Sequence, residues 1–99
     1  MEHINWNMIE SFLKKTILLV SSKLDQKSIE AVNHYVNHAE YEMAFEGLFI
    51  EIMKMNEVPD IDFSKSKEIG LLLKLDKESV FDVGFWKKFK NYVDAKEQA

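Results

Sequence analysis

The spacing of the apolar residues constrains this chain most. Trp6, Ile9, Leu13, Ile17 and Val20 follow one another at intervals of three and four, the repeat that stacks side chains on one face of an α-helix. The same spacing links Ile29, Val32 and Val36, then Ile69 with Leu72 and Leu73, then Phe85, Trp86, Phe89 and Val93. Only three Gly and one Pro interrupt 99 residues, too few for the closely spaced turns of a β-sandwich or barrel. The pattern predicts an all-α fold, a single-domain bundle of about five short helices.

A first helix is predicted from Asn5 to Val20, ended by the polar stretch SSKLD. Asp25 is suited to cap a second helix running to about His38. A third runs from about Glu40 to Met55 and stops before NEVPD, where Pro59 biases Val58 to an extended conformation. Whether a break near Ala39 separates the second helix from the third is open at this level. Asp62 or Ser64 can cap a fourth helix ending near Asp76, and Ser79 or Asp82 a fifth. The run IGLLLKL also fits a short buried strand, which periodicity alone does not separate from a helix. The terminal DAKEQA, residues 94–99, is expected to fray.

Hydrophobic residues make up 46% of the chain, enough to drive folding rather than disorder. The absence of cysteine rules out disulfides and thiolate metal sites and suits a reducing compartment. The opening MEHINWNMIE is acidic and broken by polar residues, unlike a signal peptide. No apolar run approaches the ~20 residues that span a bilayer. A small, soluble, cytoplasmic domain without membrane contact is expected.

Net charge is −4, and its distribution says more than its size. Residues 1–38 balance, residues 63–99 are net +2, and residues 39–62 carry seven acids against Lys54 alone. All thirteen basic residues are lysine, with no arginine for base edges and no basic aromatic stripe. Direct nucleic-acid binding is therefore not expected. An acidic segment of this kind suits a basic protein partner.

That acidic segment is also strongly apolar. On a helical wheel Tyr41, Phe45, Leu48, Phe49, Ile52 and Met55 share one broad face, the expected core side. Met43, Gly47 and Ile50 form a second apolar row almost opposite, between acidic flanks. Such a helix is either central and covered on both sides, or it presents its second face to a partner. Met43 and Ile50 would be packed in the first case and exposed in the second. The loop acids Glu57, Asp60 and Asp62 should be exposed in both.

Few residues could support catalysis. His34, His38 and Glu42 are spaced four apart and would share a face only on an unbroken helix. Two solvated histidines near a helix end are the simpler expectation, and His3 reads as a terminal residue without a role. The Glu-x-x-His pairs of carboxylate di-metal bundles, a phosphate-binding glycine loop and a cysteine nucleophile are all missing. Nothing in the sequence suggests around Asp60 or Asp62 the apolar pocket that acid–base work by paired carboxylates needs. Trp6 and Trp86 read as core anchors. No catalytic, cofactor or metal role is expected.

The stretch NHAEYEMAFEGLFIEI, an acidic loop, and then KSKEIGLLLKLDKESVFDVGFWKKF resemble the small helical immunity proteins of the MafI and CdiI kind. The likeness covers roughly residues 33–93. Glu40, Tyr41, Ala44, Glu46 and Leu48 fill its Glu-aromatic, small, acid and leucine positions. Lys67 to Asp76 and Phe85–Trp86 match its later segments, whereas Met43 and Gly47 depart from the bulkier residues expected there. The resemblance implies a non-catalytic bacterial protein that binds and neutralises a cognate contact-dependent growth-inhibition toxin domain, typically a nuclease with a basic cleft. Charge patterning and resemblance together mark Glu40, Tyr41, Glu42, Met43, Glu46, Ile50, Glu57, Asp60 and Asp62 as partner-binding residues. Charge reversal at Glu42, Glu46 and Asp60 should then slow association and leave the fold's stability nearly intact. The alternative is a small acidic adaptor that regulates a basic protein as a nucleic-acid mimic.

Overall fold

Short polar side chains start three of the five α-helices among the described residues. Asn5 accepts from the Met8 N–H at 3.0 Å and opens α1, Trp6–Val20. Asp25 accepts from the Ser28 N–H at 2.7 Å and opens α2, Gln26–Asn37. Asp62, rather than Ser64, accepts from the Lys65 N–H at 2.9 Å and opens α4, Phe63–Leu72. Each satisfies an N–H that the first helical turn cannot pair internally. Between these lie a short 3₁₀ turn at Ser21–Lys23 and α3, Tyr41–Ile52; α5, Phe85–Gln98, completes the chain. The computed structural model describes residues 4–98, and no strand occurs among them. His3, Glu2 and Ala99 lie outside the described residues.

Two helices end on a motif that usually contains glycine. After α2, the Glu40 N–H donates to Tyr35 O at 2.8 Å and the Ala39 N–H to Val36 O at 3.1 Å. After α4, the Leu75 N–H donates to Gly70 O and the Lys74 N–H to Leu71 O, both at 3.0 Å. This pairing requires a left-handed residue just past the cap. Here Ala39 (φ 56°) and Lys74 (φ 60°) fill that position, although a Cβ makes it unfavourable. The chain is thus broken at Ala39, and His34, His38 and Glu42 do not share a helix. The fourth helix also stops at Leu72, short of Asp76.

Two further boundaries differ from expectation. α3 ends at Ile52 rather than Met55, closing with tighter turns from Lys54 N–H to Glu51 O and Met55 N–H to Ile52 O. The tail expected to fray from Asp94 is helical through Gln98. Asp94 pairs with Lys67 at 3.0 Å and Glu97 accepts from Ser64 Oγ at 3.2 Å, tying the last turns of α5 to α4.

The core forms where α3 crosses its neighbours. Phe45 and Phe49 of α3 meet Phe89 of α5 edge-to-face, with centroids 5.4 and 5.2 Å apart, and Phe85 stacks on Phe89 at 5.4 Å. Ile9, Leu13 and Val20 of α1, Val32 and Val36 of α2, and Ile69 of α4 close around them. Each buried side chain of this size contributes about 1.5–3 kcal/mol of transfer free energy. α4 lies close against α5 at Gly70, where a Cβ would stand 2.7 Å from the Trp86 ring. No helix among the described residues is long and apolar enough to cross a membrane.

Candidate interaction surface

Among the described residues Glu46 is the one acidic residue with a fully buried side chain, and it sits in the middle of α3. A carboxylate removed from water is strongly unfavourable unless donors replace its hydration. Here three successive backbone N–H groups do so: Val80 at 2.8 Å, Phe81 at 2.7 Å and Asp82 at 2.9 Å. These donors belong to the connection between α4 and α5. Charge-assisted bonds of this length are among the stronger ones in proteins. Glu46 therefore acts as a clasp for the connection and is no part of an exposed acidic rim. Its substitution by Lys would bury an ammonium against three N–H groups, so the expectation that charge reversal there spares the fold is overturned.

The clasped segment contains its own turn. Asp82 accepts from the Gly84 N–H at 2.9 Å and from Lys88 Nζ at 2.8 Å, so it shapes the approach to α5 instead of capping the helix. The Lys88 ammonium, and then the Gly84 N–H, hold the Asp82 carboxyl below the ordinary carboxylate range. Above this turn the side chains point outward. Val80 and Phe81 are about half-exposed and Val83 is fully exposed. Phe81 also lies over Gly47, its Cε2 3.8 Å from the place a Cβ would occupy, and beside Tyr35 at 6.1 Å between ring centroids. The second apolar row of α3 is thus partly roofed by this segment.

Between the segment and the start of α3 runs an open groove. Met43, Leu73 and Val80 contribute its apolar lining, and Glu40, Glu42 and Glu78 its carboxylates. Lys74 contributes the one ammonium of that lining. Among the described residues Glu40, Glu42 and Glu78 form no ion pair, as is also true of Asp25, Glu30, Asp60, Asp62, Asp76 and Glu97, whereas Glu10, Glu51, Glu57, Glu68, Asp82 and Asp94 do. Both left-handed residues, Ala39 and Lys74, lie on the groove wall. Tyr41 turns to the adjoining side, where it stacks on Trp6 at 5.6 Å. Trp6 is 45% exposed, so it is a surface side chain and not the core anchor its spacing implied.

The remaining acids lie elsewhere. Ile50 is half-buried and packs on the core, the first of the two outcomes weighed for it. Glu57, Asp60 and Asp62 are exposed, as the loop position predicts. Glu57 is held near Lys23, which also donates to its backbone carbonyl at 2.9 Å. Asp60 and Asp62 line a separate groove with Phe12, Lys15, Leu19 and Lys65. Of the nine residues marked from sequence, Glu40, Glu42 and Met43 share one groove with Tyr41 at its edge; the other five do not join them. The α4–α5 segment was missed, although VFDVG, apolar and turn-forming at once, carried the signal.

His38 Nδ1 lies 2.8 Å from the His34 carbonyl oxygen, and the two imidazoles are 4.1 Å apart between centroids on the exposed side of α2. Among the described residues, no three His, Cys, Asp or Glu side chains are gathered as a metal would require. No family model, curated protein or solved structure matches the chain.

Proposed function

We propose that this chain is a non-catalytic binding protein that docks a basic protein through the groove at the start of α3, and that it serves as an immunity protein. In this reading it occludes a cognate contact-dependent toxin domain, a nuclease whose cleft is built to hold phosphates. The observation that carries the proposal is the set Glu40, Glu42 and Glu78 around Met43, carboxylates that form no ion pair among the described residues, at the rim of an apolar groove. Carboxylates so placed steer a positive surface into encounter, and the apolar floor supplies the dry contact that slows dissociation. The immunity assignment rests on the resemblance of residues 33–93 described above.

The test is co-expression with a toxin domain encoded beside the gene, and purification through a tag on this chain. The proposal expects a stoichiometric complex, loss of the toxin's nuclease activity, and weakening of both by Glu40→Lys with Glu42→Lys. A complex indifferent to those two reversals, or no complex at all, would contradict it.

A further inference from the structure

The segment held by Glu46 contributes little to the core, yet it is fixed by the only fully buried carboxylate among the described residues. Its apolar side chains Val80, Phe81 and Val83 face out while its backbone faces in. Loops with exposed apolar tips are ordinarily left loose, because ordering them gains no burial. An arrangement that orders the backbone and leaves Val80 and Phe81 about half-exposed lowers the entropic cost of binding in advance.

We infer that the Val80–Phe81 tip, clasped to α3 by Glu46, is a prearranged apolar anchor for a cationic, amphipathic polypeptide segment of the partner. This rests on the proposed docking groove and adds its anchor. The occupant is fixed by charge complementarity: Val80 lines the groove that carries Glu40, Glu42 and Glu78 against Lys74 alone. A segment with apolar side chains on one face and lysine or arginine on the other satisfies both parts of that surface. An acidic segment would meet three carboxylates against the single ammonium of Lys74. Glu46 touches no partner in this arrangement and acts as a positioning residue for the tip.

The experiment uses the full chain, isotopically labelled for NMR, and three short synthetic peptides: leucine with lysine, leucine with glutamate, and serine with lysine. The inference expects the leucine–lysine peptide to bind best and to shift the Met43, Val80 and Phe81 amides first. Phe81→Ser should weaken that binding about tenfold or more. Val83→Ser, at a fully exposed side chain of the same segment, should keep the parent's melting temperature, and the melting temperature of Phe81→Ser set against it shows whether loss of binding accompanies loss of fold. Equal binding of the leucine–glutamate peptide would overturn the inference, as would shifts mapping elsewhere. A Phe81-dependent dimer in light scattering would overturn it too, by making a second copy the occupant. If Glu42→Lys abolishes binding while Phe81→Ser leaves it unchanged, the anchor is wrong and the acidic groove stands. If neither substitution matters, both fail.

Discussion

The Glu46 carboxylate accepts the Phe81 N–H at 2.7 Å, across 35 positions of sequence, and joins the middle of α3 to the exposed α4–α5 connection. An apolar side chain at position 46 would complete the core but leave three N–H groups of the connection without an acceptor.

Glu46→Gln keeps one acceptor and loses the charge. It is expected to destabilise the fold by about 1–3 kcal/mol in denaturant unfolding. Amide exchange at residues 80–82 should accelerate more than exchange in α1 or α2. Uniform acceleration across all helices would mean that Glu46 supports the whole core and not this connection.

The two helical glycines should respond with opposite sign to alanine. At Gly70 a Cβ would stand 2.7 Å from the Trp86 ring, and overpacking of that kind costs about 1–3 kcal/mol, outweighing the gain in helix propensity. At Gly47 the nearest atom would be at 3.8 Å, an ordinary contact. Gly47→Ala should therefore stabilise by about 0.5–1 kcal/mol, read from chemical denaturation of both variants.

Ala39 occupies a left-handed position that glycine adopts without strain. Ala39→Gly is expected to raise stability by about 1 kcal/mol. No change would indicate that the turn relaxes freely and that the left-handed φ carries no strain.

This residue also explains what was legible in the sequence. The helices of the bundle could be read because their apolar faces repeat at three and four, and Asp25 and Asp62 because capping chemistry is local. The end of α2 could not, since the glycine that normally marks such an end is an alanine; at Lys74 a lysine hid the end of α4 in the same way. The site was half legible. Composition pointed to the acidic start of α3, but no local pattern distinguishes Glu46 from Glu42, one turn earlier on the same flank. Only the return of residues 80–82, more than thirty positions later, makes one a clasp and leaves the other at a groove.

Acid stability follows from two other carboxylates. The Asp25 carboxyl is held below its ordinary 3.8, first by the Ser28 N–H, and the Asp82 carboxyl first by Lys88. A carboxylate with a depressed folded pKa contributes stability that is fully present above its unfolded value and lost as pH falls through the folded one. The unfolding free energy should thus hold steady from neutrality to about pH 5 and decline below pH 4. Asp25→Asn with Asp82→Asn should flatten that decline. An unaltered acid limb in the double variant would assign it to other groups.

The central claim is that a basic partner meets the acids at the start of α3 and not those of the following loop. The most direct measurement is the association rate of the purified complex partner across a salt series, with Glu42→Lys compared against Asp60→Lys. The account predicts a slower rate and a shallower salt slope for Glu42→Lys, and values close to the parent for Asp60→Lys. The reverse order, with Asp60 controlling the rate and Glu42 silent, would contradict it.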